Sequence, residues 1–295
     1  MQRPKKAVIP AAGIGTRLLP ATKSQPKEML PVGRKPTIQY VVEEIYGAGI
    51  KEVLIVTSEL KRAIEDHFDP DTALMARLAR DNKSISPLQH VGLDLELFYT
   101  RQSNPTGLAD AIGQAEHFVG DEPFIVCLGD AIIASQTPGH VLKRLMDAFT
   151  ANGASGVILF QTVEREAVSR YGIAAPKGEP GDVFEIEDLV EKPSVEEAPS
   201  RLAITARYVF SPEIFDYIRQ TPPGQGGEVQ ITDSIRLMLK AGRKVFGVRL
   251  EDGEKRYDVG NFRSYFEAFF HFSLADKEFG EAFRAHAKRV LNEGG

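Results

Sequence analysis

The sequence predicts an α/β protein built on a doubly wound, mostly parallel or mixed sheet, with further helices at the C-terminus. Apolar, strand-like runs alternate with segments of helical periodicity through the first half of the chain. The runs at 52–57 and 124–128 are almost continuously apolar, which is typical of strands covered on both faces. A glycine-rich loop at 11–17 follows the first run, as in Rossmann-like sheets, where ligands lie beyond the carboxyl ends of the strands.

The first half contains strands and helices in strict alternation, as parallel β–α–β units require. The helix after Pro36 is indicated by Ile38, Val41, Val42 and Ile45, which recur every three or four residues. Asp130 follows the carboxyl end of the last strand, so it is expected to face the same crevice as the loop. The predicted elements are strand 7–10, helix 36–46, strand 52–57, helix 61–68, strand 95–99, helix 108–119 and strand 124–128.

The second half has a more mixed pattern, with turns rich in proline and glycine. Its predicted elements are strands 157–162, 184–190 and 203–210, helices 213–219, 230–241 and 262–275, and a charged helical segment from 276 onward. A phenylalanine stripe in helix 262–275 favours the core or a subunit contact. We predict a single domain over 1–295, with a soft boundary near residue 135 and a helical C-terminal part at 261–295.

Composition limits the kinds of function that the chain can have. With 295 residues, a net charge of −5 and 26% charged residues, it does not offer the broad basic surface that nucleic acids require. Cys127 is the single cysteine, so no intrachain disulfide forms, and its apolar run favours a buried core position. The six histidines show no zinc-binding spacing. No signal peptide or membrane-spanning run is seen, so we expect a cytoplasmic protein with no membrane partner.

The glycine-rich loop indicates an anion site. Small residues let the backbone N–H groups approach an anion, and they stand here at Ala11, Ala12, Gly13 and Gly15. Arg17 can hold phosphate oxygens through two donors, and Lys23 and Lys27 add positive charge. Leu18 breaks the dinucleotide-binding spacing, and no Gly-Lys-Ser/Thr triplet is present for a P-loop. The alternative is an ordinary turn in which glycine serves geometry alone.

These residues carry a family resemblance. Gly13-Ile14-Gly15-Thr16-Arg17 and Pro26-Lys27-Glu28-Met29-Leu30-Pro31 resemble the signature of the sugar-phosphate nucleotidyltransferases, and most closely the bacterial UTP–glucose-1-phosphate uridylyltransferases. The resemblance runs from about residue 5 to about residue 270. It also includes Lys35-Pro36, Glu191-Lys192-Pro193, Arg207-Tyr208-Val209, Thr221-Pro222-Pro223-Gly224 and Gly227-Glu228-Val229-Gln230-Ile231-Thr232-Asp233.

The resemblance implies a nucleotidyltransferase fold and a reaction between two anions. A phosphate oxygen of glucose 1-phosphate attacks the α-phosphate of UTP, giving UDP-glucose and pyrophosphate, in a homodimer or homotetramer. By the same resemblance, Asp130 and Asp258 hold Mg²⁺, while Arg17, Lys27 and Lys192 act in catalysis. Residues 1–135 then bind the nucleotide and 136–260 the sugar phosphate. In isolation, an Asp after a strand is more often a turn or helix cap, and Lys192 fits a surface ion pair equally well.

Base and sugar contacts are also implied by the resemblance. By resemblance, Gln102 and Gly107 lie in the segment that reads the base. The amide of Gln102 and the open backbone N–H of Gly107 suit a pyrimidine edge. Glu191 would accept hydrogen bonds from sugar hydroxyls, and the backbone of Gly172 would meet one of them. For Gly172, a simple turn is an equal alternative. The role of Glu28 stays open.

The chain departs from the uridylyl pattern at Gly107-Leu108-Ala109-Asp110-Ala111, where its alanine is closer to thymidylyl relatives. The alternatives are therefore a sister enzyme that uses dTTP or another sugar 1-phosphate, and an inactive nucleotide-sugar-binding regulatory protein. For Asp110 we favour a helix cap over a position near the triphosphate or metal. Ala206 stands where a glycine is usual, which could reshape the sugar pocket.

Overall fold

A computed structural model describes residues 2–85, 94–224 and 227–293 of the chain. Its strands are β1 (Lys6–Pro10), β2 (Pro31–Val32), β3 (Lys35–Pro36), β4 (Glu52–Thr57), β5 (Glu96–Arg101), β6 (Phe124–Cys127), β7 (Ala131–Ala134), β8 (Gly156–Thr162), β9 (Gly172–Pro176), β10 (Val183–Glu191), β11 (Leu202–Phe210), β12 (Val245–Arg249) and β13 (Lys255–Asp258). The helices are α1 (Thr37–Gly47), α2 (Arg62–Phe68), α3 (Thr72–Arg80), α4 (Leu108–Gly113), α5 (Glu116–Val119), α6 (His140–Asn152), α7 (Ile214–Gln220), α8 (Ile231–Lys240), α9 (Phe262–Leu274) and α10 (Gly280–Glu293).

Within the described residues, nine strands form one mixed sheet in the order β5-β4-β1-β6-β11-β8-β12-β10-β9. The first four are parallel to one another, and β11 joins them antiparallel to β6. The predicted α/β class with a mostly parallel or mixed sheet is confirmed. Since β11 of the second half lies between β6 and β8, strands of both halves share one sheet. The single domain over 1–295 and the soft boundary near 135 both stay predictions.

Helices cover both faces of the sheet, as the apolar strands require. Side chains alternate along β1, so Ala7 and Ile9 join a core with α1 and α6, while Val8 joins a core with α4, α7 and α8. Val8 and Ile9 are fully buried. The two-sided burial explains why β1 and its neighbours lack the polar alternation of a one-sided sheet.

The helix predicted over 108–119 is wrong as a single element. It is divided into α4 and α5, because the helical pattern stops at Gln114 and Ala115. Several elements were not predicted at all: α3, α6, β2, β3, β7, β9, β12 and β13. The last of these positions the site, because β13 pairs antiparallel with β7 and aligns Asp258 with Ala131.

The C-terminal helices lie against one end of the molecule. The predicted phenylalanine stripe is split: Phe272 packs edge-on against Tyr40 with ring centroids 4.8 Å apart, whereas Phe266 is 62% exposed. Among the described helices, none combines the length and apolar character needed to cross a bilayer.

Candidate active site

The loop after β1 is shaped to receive an anion. The Ala11 N–H donates to the Val56 carbonyl at 2.8 Å, which ties the start of the loop to β4. Gly15 has φ 74°, a left-handed conformation that favours glycine, and its carbonyl accepts a 2.7 Å bond from the Thr22 hydroxyl. In the part of the chain that the structure describes, the N–H groups of residues 12–15 donate to no protein acceptor. These donors are therefore free for a ligand.

The loop forms one wall of a cavity of about 550 Å³. Most of the predicted site residues line it: Ala12, Gly13, Gly15, Gln102 and Gly107 of the nucleotide-binding set, the catalytic Arg17 and Lys27, and the metal-binding Asp130. Ala11 is buried behind this wall and is 2% exposed. The cavity also includes Glu28, Glu228 and Gly260. Because the loop after β1 and Asp130 after β6 line it, the cavity lies at the carboxyl ends of these two strands, as the sheet topology predicts.

Lys27 is the central cation of the cavity. Its Nζ lies 2.5 Å from Asp130 Oδ2, and both side chains are largely buried. Burial alone would lower the pKa of Lys27, but the charges of Asp130 and Glu28 raise it. Burial would likewise raise the pKa of Asp130, but the charge and hydrogen bond of Lys27 lower it to about 2. Lys27 is thus a cation and Asp130 an anion throughout the neutral pH range.

Glu28 and Lys61 form a buried ion pair behind Lys27. The Lys61 ammonium contacts both Glu28 oxygens at 2.9 and 2.7 Å, with side chains 4% and 1% exposed. Burial raises the pKa of Glu28 against the opposing charges of Lys61 and Lys27, and burial lowers the pKa of Lys61. This pair ties the Lys27 turn to the segment after β4. The sequence pattern gives no sign of it, because the two residues are 33 positions apart.

Asp258 lies next to Asp130 through backbone pairing. The Val259 N–H donates to the Asp130 carbonyl at 2.9 Å, directly beyond the last paired residue of β13. The Asp258 carboxylate accepts from the Gly260 N–H at 2.7 Å and from Arg256 at 2.9 Å. Arg17 approaches Gly260, so the loop arginine and Asp258 meet at one edge of the cavity.

A second group of predicted residues lies outside the cavity lining. Gly172 pairs with Glu191 across β9 and β10, and the Lys192 N–H donates to the Tyr171 carbonyl at 3.0 Å. The Glu191 carboxylate accepts from the Thr232 hydroxyl at 2.8 Å and lies 2.9 Å from the Lys192 ammonium. A Cβ on Gly172 would lie 2.8 Å from the Ile204 Cδ1 and 3.1 Å from Glu191 Oε2 and Thr232 Oγ1, so a larger residue would require these side chains to move. Gly172, Glu191 and Lys192 therefore lie together, and their binding of the sugar stays a prediction.

Arg256 connects the two groups, and sequence reasoning missed it. Its guanidinium lies over the Tyr171 ring at 5.4 Å from the centroid while it also contacts Asp258. Its Nε is buried and finds no partner among the described residues. The available signal was the basic pair Lys255-Arg256, which is separated from Asp258 by Tyr257 alone.

The expected helix-cap role of Asp110 is wrong. The N-cap of α4 is Gly107, and no side-chain cap bond forms there. Instead, Asp110 Oδ2 accepts a 2.6 Å bond from Gln102 Nε2, and Asp110 Oδ1 accepts a 3.4 Å bond from Gln114. A carboxylate in the first helical turn is favourable with the helix dipole, but here it also binds a predicted base-reading side chain.

A family profile described as nucleotidyl transferase matches residues 6–273 of the chain. The chain belongs to this family. The UTP–glucose-1-phosphate uridylyltransferase of Bacillus subtilis (strain 168) is 43% identical over 295 residues, which cover 99% of each chain. As a member of this family, the chain is a nucleotidyltransferase, and the resemblance noted in its motifs is confirmed.

Solved structures lead to the same family. A UDP-glucose pyrophosphorylase complexed with UDP-glucose is 37% identical, with a TM-score of 0.83 over 92% of this chain and 100% of that one. A UTP-bound enzyme of the same kind from Acinetobacter baumannii is 33% identical, with a TM-score of 0.88 over 97% of this chain and 99% of that one. The predicted nucleotidyltransferase fold is thereby confirmed.

Proposed function

We propose that this nucleotidyltransferase transfers a uridylyl group from UTP to α-D-glucose 1-phosphate, giving UDP-glucose and pyrophosphate. The observation that carries the proposal is the cavity itself. The backbone donors of residues 12–15, which have no partner among the described residues, converge there with Arg17, Lys27 and Asp130, and Gln102 and Gly107 line the same cavity. The near full-length likeness to uridylyltransferases supports UTP and glucose 1-phosphate as the substrates.

The residues of the chain act by holding two anions in line. The loop N–H groups and Arg17 bind the triphosphate, and Lys27 supplies charge at the α-phosphate, where negative charge develops on the equatorial oxygens. Lys192 orients the sugar phosphate, whose oxygen attacks the α-phosphorus. The new P–O bond forms as the bond to the β-phosphate oxygen breaks, and pyrophosphate leaves. Positioning carries most of the rate, because no protein nucleophile is required.

Asp130 and Asp258 fit a divalent cation. Mg²⁺ binds through one or two carboxylates and completes its shell with phosphates and water. Asp258 pairs with Ala131, the residue that follows Asp130, so the two aspartates are close. We propose that they hold Mg²⁺, which neutralises charge on the triphosphate when bound. The Asp130 carboxylate contacts the Lys27 ammonium and the Asp258 carboxylate accepts a hydrogen bond from Arg256, so both oxygen donors are held at this edge of the cavity.

Pyrophosphate release tests the proposed reaction. Purified protein with Mg²⁺ and glucose 1-phosphate is given UTP, dTTP or CTP in turn, and we expect turnover with UTP to be the fastest. Chelation with EDTA should abolish it, and Asp130→Asn should lose most of it with an unchanged fold by circular dichroism. A clear preference for dTTP, or binding of UDP-glucose without any turnover, would contradict the proposal.

We also propose that the protein acts as a homodimer or homotetramer in the cytoplasm. Exposed phenylalanines on and after α9 offer an apolar surface for a second copy, namely Phe266, Phe269, Phe270 and Phe279. Light scattering coupled to gel filtration should give a mass of two or four chains. A monomer at micromolar concentration would contradict the assembly, and recovery in the membrane fraction of lysed cells would contradict the location.

A further inference from the structure

Gln102 is held by hydrogen bonds on its amide nitrogen. The residue follows β5, its backbone N–H donates to the Thr57 carbonyl at 2.9 Å, and it is 3% exposed. Its Nε2 donates to Asp110 Oδ2 at 2.6 Å and to the Gly107 carbonyl at 3.2 Å. Two bonds to one amide nitrogen use both of its protons.

The identity of these partners fixes the orientation of the amide. A carboxylate and a backbone carbonyl only accept hydrogen bonds, so the amide oxygen cannot replace the nitrogen beside them. The Gln102 Oε1 therefore points away from Asp110. Within the described residues it receives no hydrogen bond, and Gln102 lines the cavity while Asp110 does not. We infer that Gln102 Oε1 offers the cavity a hydrogen-bond acceptor.

Gly107 supplies the complementary donor beside it. Its φ is 125°, and a Cβ at this residue would lie 2.5 Å from the Val229 carbonyl oxygen, so only glycine fits. Bonds from Val229 N–H to Thr106 and from Ala109 N–H to Val229 hold the segment in place at 2.7 and 3.0 Å. The Gly107 N–H forms no hydrogen bond among the described residues. A donor and an acceptor therefore stand side by side in the cavity wall.

We propose that Asp110 is a positioning residue that makes the site select a base with a ring N–H next to a ring carbonyl. Uracil and thymine have that edge, whereas cytosine presents an acceptor nitrogen and an exocyclic amine. Gln102 Oε1 would accept from the ring N–H, and the Gly107 N–H would donate to the carbonyl. In the same orientation, cytosine would place its acceptor ring nitrogen at Gln102 Oε1 and its amine at the Gly107 N–H. An unmatched buried polar group is costly. The inference rests on the proposed function.

Asp110→Asn tests this role with little change in shape. The asparagine amide can donate to Gln102 Oε1, so the glutamine can turn its nitrogen toward the base. We expect the ratio of kcat/KM for UTP to that for CTP to fall by roughly tenfold or more, while the KM for glucose 1-phosphate stays unchanged. A ratio within about twofold of the unmodified protein, in a folded variant, overturns the proposal.

Two further variants test how far the UTP-to-CTP ratio depends on Asp110. Asp110→Ala leaves the Gly107 carbonyl as one anchor for Gln102, so its ratio should fall less than that of Asp110→Asn. Gln114→Ala removes the other partner of Asp110 without touching Gln102, and its ratio should stay unchanged. A purely structural role would instead lower the rates with UTP and CTP in parallel and shift the unfolding temperature in proportion, which also overturns the proposal.

Nucleotide binding separates this inference from the proposed reaction. Titration calorimetry with UMP and CMP needs no turnover, and the unmodified protein should prefer UMP while Asp110→Asn should lose most of that preference. If the protein binds in this way but transfers no uridylyl group, the proposed reaction fails and the role of Asp110 stands. Equal affinity of the unmodified protein for UMP and CMP overturns the role of Asp110, whatever the reaction.

Discussion

The two lysines predicted to contact phosphate are held in opposite ways. Lys27 on the nucleotide side is 17% exposed and pairs with Asp130 from a distant part of the chain. Lys192 on the sugar side is 51% exposed, and among the described residues its ion pair is with its neighbour Glu191. Its backbone has φ 47°, a left-handed conformation that costs a non-glycine residue of the order of 1 kcal/mol or more.

The difference shows two ways of placing a charge. On the nucleotide side the fold itself fixes Lys27, because strand order and buried ion pairs bring its partners together. On the sugar side a local backbone distortion at the end of β10 directs Lys192, and the surrounding contacts are fewer. Removing a charge should therefore disturb both stability and turnover on the first side, and turnover alone on the second.

Lys27→Ala should have the largest effect. It removes a cation at the α-phosphate, so we expect turnover to fall by roughly 10³-fold. It also leaves the buried carboxylate of Asp130 unpaired, which should lower the free energy of unfolding by roughly 3 kcal/mol. Urea unfolding and pyrophosphate release measure the two effects. Lys35→Ala is the matched control, since it breaks the Lys35–Glu43 ion pair outside the cavity and should leave turnover unchanged. An unchanged free energy of unfolding in Lys27→Ala would contradict the proposed difference between the nucleotide side and the sugar side.

Glu28→Gln should lower stability by about 3 kcal/mol or more, because it leaves the Lys61 ammonium buried without its partner. Glu28→Gln combined with Lys61→Met removes both charges, and it should recover most of that loss in urea unfolding. Additive losses in the double variant would show that the two side chains do not stabilise each other. The pair would then not explain the rigidity of the nucleotide side.

Lys192→Ala should reduce turnover by roughly 10²-fold with little change in stability. The alanine keeps the left-handed backbone, and the lost ion pair is half-exposed, so the free energy of unfolding should change by less than about 1 kcal/mol. The KM for glucose 1-phosphate should rise more than that for UTP. Lys177→Ala is the control, because Lys177 forms an exposed ion pair with Glu185 on the same half. A large loss of stability in Lys192→Ala would make the two sides alike.

The same contrast explains what the sequence could predict. The loop at 11–17 and most of the alternating elements of the first half are local patterns, and they were placed correctly, except that helix 108–119 is divided and α3 was missed. Asp258 was placed by resemblance, whereas the four-residue strands β7 and β13 that align it are too short and too distant in sequence to show a pattern. Strand pairing and buried ion pairs depend on residues far apart in the chain, such as Lys61 with Glu28, so no local signal reveals them.

Asp110 shows how a good local explanation can lead to a wrong prediction. A carboxylate in the first turn of a helix has a good local explanation as a cap, and that explanation was preferred. The actual partner, Gln102, precedes the helix by several residues, and its amide nitrogen donates to the Asp110 carboxylate at 2.6 Å. An aspartate suits both a helix cap and a hydrogen bond from Gln102, so the sequence alone cannot distinguish these two roles of Asp110.

Asp188→Asn should have the smallest effect and a defined pH dependence. On the sugar side, Arg236 donates to both Asp188 oxygens at 2.8 and 2.7 Å, but the two side chains are 41% and 35% exposed. Partial burial would raise the pKa of Asp188, yet the hydrogen bonds from Arg236 and the Leu189 N–H lower it below 3.8. Because the folded-state pKa lies below the unfolded one, this carboxylate contributes stability above the unfolded pKa and loses it as pH falls through the folded pKa.

At pH 7 the variant should therefore unfold with a free energy lower by less than about 1 kcal/mol, since exposed ion pairs are screened by solvent. As pH falls below 3.8 toward the folded pKa, the difference between the two proteins should shrink, because the introduced asparagine does not titrate while Asp188 takes up its proton. Urea unfolding at pH 7, 5, 4 and 3 measures this, with the exposed Asp182→Asn as control. A loss at pH 7 as large as that of Glu28→Gln would show that the sugar side depends on its ion pairs as strongly as the nucleotide side does.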